Sequence, residues 1–251
     1  TELLTSLPDQ GVAIVDGRTW NQLRTLRLPC PHVTFGREVG NDVSACCVMH
    51  EQGRLTFAVD RQIARLHAWG RHHLSSALAA WSVGRWAGLS DAEIAERLEH
   101  CLLPQHHCEV SSIAGTLLVD DTGTNCFAST VNALELIQSI DASGERTVVF
   151  GEHWTGLIPA LCKQLGTLVV NVGSADRLLT TGAHAEQFIA GATSAGMPAK
   201  QCFLAKSTDH VLSQIARFSN SHDTVLMKGF IETDVDQLLS QWAGPSHRRA
   251  A

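Results

Sequence analysis

PQHHCEVSSIAGTLLVDDTGTNCFASTVNALELI, residues 104–137, is the stretch whose reading decides the fold. An apolar strand, Gly115 to Val119, runs into two adjacent acids, Asp120 and Asp121. The polar turn Thr122-Gly123-Thr124-Asn125 follows. A helix comes next, with Val131, Leu134 and Ile137 on one face at helical spacing. Strand, polar turn and helix is the arrangement in which α/β proteins hold ligands, at a strand's carboxyl end beside a helix N-terminus. An acid pair there can take a metal, a ribose hydroxyl or a proton. It can also simply cap the helix.

Downstream of this stretch, strands and helices alternate. Strands are expected at 115–119, 147–150, 167–172, 201–205 and 223–227, and helices near 128–140, 154–165, 183–195, 208–218 and 233–242. That rhythm means parallel strands joined by crossovers, a doubly wound, Rossmann-like α/β domain. The last residues, 244–251, read as a tail.

Upstream, residues 1–7 read as the end of a helix stopped near Pro8. GVAIV (11–15) is a buried strand, Trp20 to Leu26 a short helix, and Val33-Thr34-Phe35-Gly36 another strand. Val43 to Met49 and Arg54 to Val59 read as paired strands. A helix over 73–87 carries Leu74, Ala77, Leu78 and Trp81 inward and ends at Gly88. Ser90-Asp91-Ala92-Glu93 is a capping box. It opens a helix with Ile94, Leu98, Cys101 and Leu102 inward, ended by Pro104. A first α/β domain, 1–106, is therefore expected before a second domain, 107–251.

With 251 residues and 44% hydrophobic content, the chain can bury a sizeable core. Its net charge is −6 and its Lys and Arg are scattered, so no basic stripe for nucleic acid exists. No apolar run reaches the roughly 18 residues of a membrane helix, and no signal peptide is visible, which points to the cytoplasm. Eight cysteines without a Cys-x-x-Cys pair read mostly as small core residues, and no metal ligand is assigned. The pairs His72-His73 and His106-His107 lack the i, i+4 spacing of two ligands on one helix face. The six Trp read as core or interface, Trp81 and Trp86 sharing one helix. The chain begins at Thr1, which fits loss of Met or a piece of a longer protein.

Residues 70–80, GRHHLSSALAA, resemble the Mur ligase segment Gly-x-His-Asn-x-x-Asn-Ala-x-Ala-Ala. His107-Cys108-Glu109-Val110 stands where that family has Arg-x-Glu. Leu118-Val119-Asp120-Asp121-Thr122 stands where it has two apolar residues and Asp-Asp-Ser/Thr. Asp176-Arg177-Leu178, Gly182-x-His184-Ala185 and Val225-Leu226-Met227-Lys228-Gly229 are similar to the C-terminal domain of the branch that adds D-alanyl-D-alanine to a muramoyl tripeptide. The resemblance covers nearly the whole chain, in the family's order, and implies that 1–106 is a truncated central α/β domain and 107–251 the family's C-terminal domain.

The resemblance implies a reaction. ATP, with Mg²⁺, phosphorylates a carboxylate of a UDP-muramoyl-peptide, a peptidoglycan precursor, and an amine displaces the phosphate to form an amide. It implies nucleotide-binding roles for His72, His73, His107, Asp121 and Asn125, and a substrate contact for Lys228. No catalytic residue is assigned within the chain. The departures are specific. No Gly-x-x-x-x-Gly-Lys-Ser/Thr occurs, and the family's carbamylated lysine would fall just before Thr1. His73 and Ser76 replace Asn, His107 replaces a bidentate Arg, and Tyr-Asn-Ala-Asn-Pro has become Gly123-Thr124-Asn125-Cys126-Phe127. The chain alone is therefore expected to be inactive. The rivals are a degenerate ligase kept as a binding or scaffold module, and an unrelated doubly wound nucleotide-binding domain.

Overall fold

A computed structural model describes residues 2–141, 143–231, 236, 240 and 242. They form two compact units, divided between Leu102 and Leu103.

The first unit runs α1 (Glu2–Thr5), β1 (Ala13–Asp16), α2 (Gly17–Gln22), β2 (His32–Gly36), β3 (Val43–Glu51), β4 (Arg54–Val59), β5 (Gln62–His67), α3 (His73–Trp86) and α4 (Asp91–Glu99). Its sheet has the order β1-β2-β3-β4-β5. The β1–β2 and β2–β3 pairs are parallel; β3–β4 and β4–β5 are antiparallel. Leu55, Phe57 and Val59 of β4 are fully buried at every second position, the period of a one-sided sheet. Trp81 of α3 packs edge-on to Phe57, 6.2 Å between centroids, and its indole N–H donates to Asp91 at 3.1 Å.

Three details of this unit differ from expectation. The helix expected from Trp20 lies at Gly17–Gln22, because the Asp16 carboxylate accepts from the Arg18 and Thr19 amides and starts it earlier. Strand β5 was not legible, since its alternation is carried by small Ala64 and by Leu66, with Ile63 facing out. The Ser90–Glu93 capping box forms as read, but α4 stops at Glu99. Cys101 and Leu102 are therefore exposed rather than inward. Trp86 also faces out.

The second unit runs β6 (Glu109–Ile113), β7 (Thr116–Asp120), α5 (Phe127–Ser139), β8 (Arg146–Phe150), α6 (Pro159–Asn171), β9 (Arg177–Thr180), α7 (Ala185–Ser194), β10 (Cys202–Leu204), α8 (Thr208–Phe218) and β11 (Thr224–Lys228). The strand order is β10-β9-β8-β11-β7-β6. Every pair is parallel except β6–β7. The doubly wound α/β expectation is met, with β6 as an added antiparallel edge. Ala114 and Gly115, both at positive φ, form the two-residue turn between β6 and β7.

The strand expected at 167–172 is a helix. Its β-branched run suggested a strand, but Pro159 opens α6, which continues to Asn171. Cys162, Leu165 and Val169 are buried at helical spacing. The strand of that repeat is β9, several residues later. Most of the helix expected at 233–242, and the tail at 244–251, lie outside the described residues. Cys46, Cys47 and Cys101 are exposed, so the core reading of the cysteines fails for these three.

Helices α6 and α7 meet through glycine. A Cβ on Gly166 would lie 2.0 Å from the Phe188 carbonyl oxygen, and one on Gly191 would lie 1.9 Å from that of Lys163. Backbone cannot yield as a flexible side chain can. Gly191→Ala is expected to cost about 1–3 kcal/mol, the usual range for overpacking. Urea unfolding measures this, and an unchanged midpoint would mean that the helices separate freely.

Candidate functional site

In the second unit β7, β11 and β8 lie side by side, so their carboxyl ends bring Asp120, Asp121, Lys228 and Phe150 to one edge of the sheet. The Asp121 amide donates to the Met227 carbonyl at 3.1 Å, which extends the β7–β11 ladder by one residue. Lys228 is fully enclosed, at 0% exposure, and Asp121 is at 4%. The Lys228 ammonium contacts the Asp121 carboxylate and the Thr124 carbonyl closely. It donates to the Asp121 carbonyl at 3.0 Å. Its three protons thus have three acceptors. The other Asp121 oxygen accepts from the Cys108 amide at 3.2 Å. Burial pushes the Asp121 carboxyl up, against the pull of the Lys228 ammonium and the Cys108 contacts. Burial also pushes the Cys108 thiol up, and the Asp121 charge adds to it.

Asn125 closes the same turn. Its amide N–H donates to the Phe230 carbonyl at 3.0 Å, and its oxygen accepts from the Gly229 amide at 2.9 Å. Its own carbonyl accepts from the Thr155 amide at 2.7 Å. The segment after β11 is tight. A Cβ on Gly229 would lie 2.8 Å from the Trp154 ring, and one on Gly151 would lie 2.2 Å from the Gly229 carbonyl oxygen. Cys126 then caps α5, its amide and thiol both meeting the Ser129 hydroxyl at 3.4 Å.

His107 is half-buried, its Nδ1 2.7 Å from the Gln105 carbonyl oxygen. It stands against the turn, since a Cβ on Gly123 would lie 2.5 Å from its ring. His106 is buried and lies 2.7 Å from Asp120 through Nδ1. The other Asp120 oxygen accepts from the Thr122 amide at 3.2 Å and the Thr122 hydroxyl at 2.8 Å.

Of the six residues singled out from sequence, the structure gathers His107, Asp121, Asn125 and Lys228 around residues 121–125. His72 and His73 lie in the first unit, at the start of α3, with rings 4.1 Å apart. His73 is buried and His72 half-buried. Sequence reading missed the Lys228–Asp121 pair, whose members are 107 positions apart, and the His106–Asp120 pair. Only the polar residue ending an otherwise apolar β11 hinted at the first.

No protein-family model matches the chain. Among solved structures it is similar to the UDP-N-acetylmuramoylalanyl-D-glutamyl-2,6-diaminopimelate–D-alanyl-D-alanyl ligase of Acinetobacter baumannii, at TM-score 0.74 and 19% identity over 94% of this chain and 51% of that one. It is similar to the MurF ligase of Thermotoga maritima, solved with ADP, at TM-score 0.74 and 18% identity over 96% of this chain and 55% of that one. A murein peptide ligase of Psychrobacter arcticus matches at TM-score 0.64 and 15% identity, over 98% of this chain and 54% of that one. The chain therefore has the fold of the Mur ligases, and spans about half the length of these structures.

Proposed function

We propose that this chain is part of a Mur-type, ATP-dependent amide ligase of the cytoplasm. Residues 1–106 correspond to the end of its central domain and 107–251 to its C-terminal domain. The reaction joins an amine such as D-alanyl-D-alanine to a UDP-muramoyl-peptide carboxylate, through an acyl phosphate, in peptidoglycan precursor synthesis. The observation that carries this reading is the extent of the match. A fold like that of MurF, one example solved with ADP, runs along more than nine-tenths of the chain.

The residues present do not by themselves fit ATP and Mg²⁺. Phosphoryl transfer needs a cradle of backbone amides, a free lysine and held Mg²⁺ against the β- and γ-phosphates. No Gly-x-x-x-x-Gly-Lys-Ser/Thr exists in the chain. Lys228 is enclosed, with its protons given to Asp121 and two carbonyls. No step at the phosphates is therefore assigned to these residues.

What the chain contributes in this reading is a shaped turn. Lys228 and Asp121 fix residues 121–124 from beneath, and Asn125 ties the turn to Gly229 and Phe230. Asp121 and Lys228 then act through the turn they hold. His107 and Asn125 form the nucleotide side of the turn. In the first unit, taken by itself, His72 and His73 at the start of α3 are offered as nucleotide contacts.

Calorimetric titration tests this. ADP and ATP are expected to bind the 251-residue chain weakly, with the same affinity with or without Mg²⁺. His107→Ala is expected to weaken binding roughly threefold to tenfold, the equivalent of a neutral hydrogen bond of about 0.5–1.5 kcal/mol. No heat at millimolar nucleotide would overturn the assignment. The second reading, a non-catalytic module that holds a muramoyl peptide, is favoured by one fact: the side chains of Lys228, Asp121 and Asn125 are already satisfied within the chain. Binding of a UDP-muramoyl-peptide without nucleotide would support it.

A further inference from the structure

Beside the turn, His106, Glu109 and Asp120 converge. One imidazole nitrogen of His106 and one carboxylate oxygen from each acid lie within 4.8 Å of one another. Two ligands of one ion stand at most about 4.4 Å apart, twice a bond of about 2.0–2.2 Å. Closing on an ion therefore needs side-chain shifts of only about half an ångström. His106 and Asp120 are buried and Glu109 is half-buried.

Two features mark this cluster as more than a hydrogen-bonded pair. Glu109 and Asp120 are directly opposite on antiparallel strands β6 and β7. Like charges so placed repel unless a cation stands between them. His106 also occupies the left-handed region, φ 60°, where a non-glycine residue is uncommon. That conformation turns the imidazole inward onto Asp120 at the expense of backbone strain. Two carboxylates thus face one imidazole, and a divalent ion would match both charges.

We propose that His106, Glu109 and Asp120 form a binding site for a divalent transition-metal ion. One imidazole and two carboxylates suit Zn²⁺ or Mn²⁺, whereas Ca²⁺ prefers six or more oxygens and Mg²⁺ an octahedron of them. Thr122 is the outer support. It fixes one Asp120 oxygen and leaves the other aimed at His106. The ion pins the 105–109 loop to the end of β7, beneath the turn. The site is independent of the ligase reading, because none of its three residues was assigned to nucleotide.

The test begins with metal-stripped chain, titrated with Zn²⁺, Mn²⁺, Mg²⁺ and Ca²⁺ by calorimetry, with Co²⁺ as an optical probe. One Zn²⁺ per chain is expected, with a raised thermal midpoint, and no comparable binding of Mg²⁺ or Ca²⁺. His106→Gly is the decisive variant, because glycine accepts φ 60° without strain and the fold should persist. It is expected to weaken Zn²⁺ at least tenfold and to abolish the Co²⁺ absorption bands. Glu109→Gln, which keeps an acceptor for the His106 amide, is expected to weaken it similarly. Circular dichroism verifies folding of each variant. Zn²⁺ binding of equal strength in His106→Gly would assign the ion to other histidines and overturn the site. Absence of binding at millimolar Zn²⁺ would overturn it as well.

Discussion

Replacing Lys228 with Met is expected to destabilise the second unit by about 3–5 kcal/mol, the usual loss when one member of a buried ion pair is removed. Lys228 has no exposed surface, so no water can take over from its ammonium. The Asp121 carboxylate would keep only neutral contacts from Cys108, and the carbonyls of Asp121 and Thr124 would lose the Lys228 donor. Met has similar bulk, so a cavity contributes little and the effect reports charge and hydrogen bonds. The double variant Lys228→Met, Asp121→Asn should recover part of the loss, because the uncompensated charge is gone. Hydrogen exchange of the β7 and β11 amides reads the second unit alone. A loss below 1 kcal/mol would contradict the account, since the pair would then not be what holds the turn.

Much of this was legible in the sequence because it is local. Apolar runs broken by polar turns gave β7, β8, β10 and β11, and the Ser90–Glu93 spacing gave the start of α4. The errors were also local. In 167–172 the β-branched composition outweighed the helical spacing of Cys162, Leu165 and Val169, which a window starting at Pro159 reveals. Edge strands β5 and β6 pair through turns without the Asn-Gly or Asp-Gly signal. The candidate site was legible in part. Asp121 ends an apolar strand, which any reading finds. That Lys228 lies against it depends on β11 entering the sheet between β7 and β8, a fact of topology rather than of spacing. The inward turn of His106 depends on one backbone angle, which its neighbours in sequence do not announce.

The largest effect expected is on turnover itself. Without a Gly-x-x-x-x-Gly-Lys-Ser/Thr motif in its sequence, the 251-residue chain should release no phosphate from ATP and form no amide, whatever carboxylate and amine are supplied. The central proposal is that these two units are part of a Mur-type ligase. The most direct measurement is phosphate release from ATP and Mg²⁺, with UDP-muramoyl-tripeptide and D-alanyl-D-alanine present together or singly. It is made on this chain and on the protein encoded when the reading frame is followed upstream of Thr1. The account predicts silence from the chain alone. From the longer protein it predicts phosphate equal to amide formed, and only with both substrates present. Phosphate release by the 251 residues alone would contradict the account, and so would a longer protein that stays silent with both substrates.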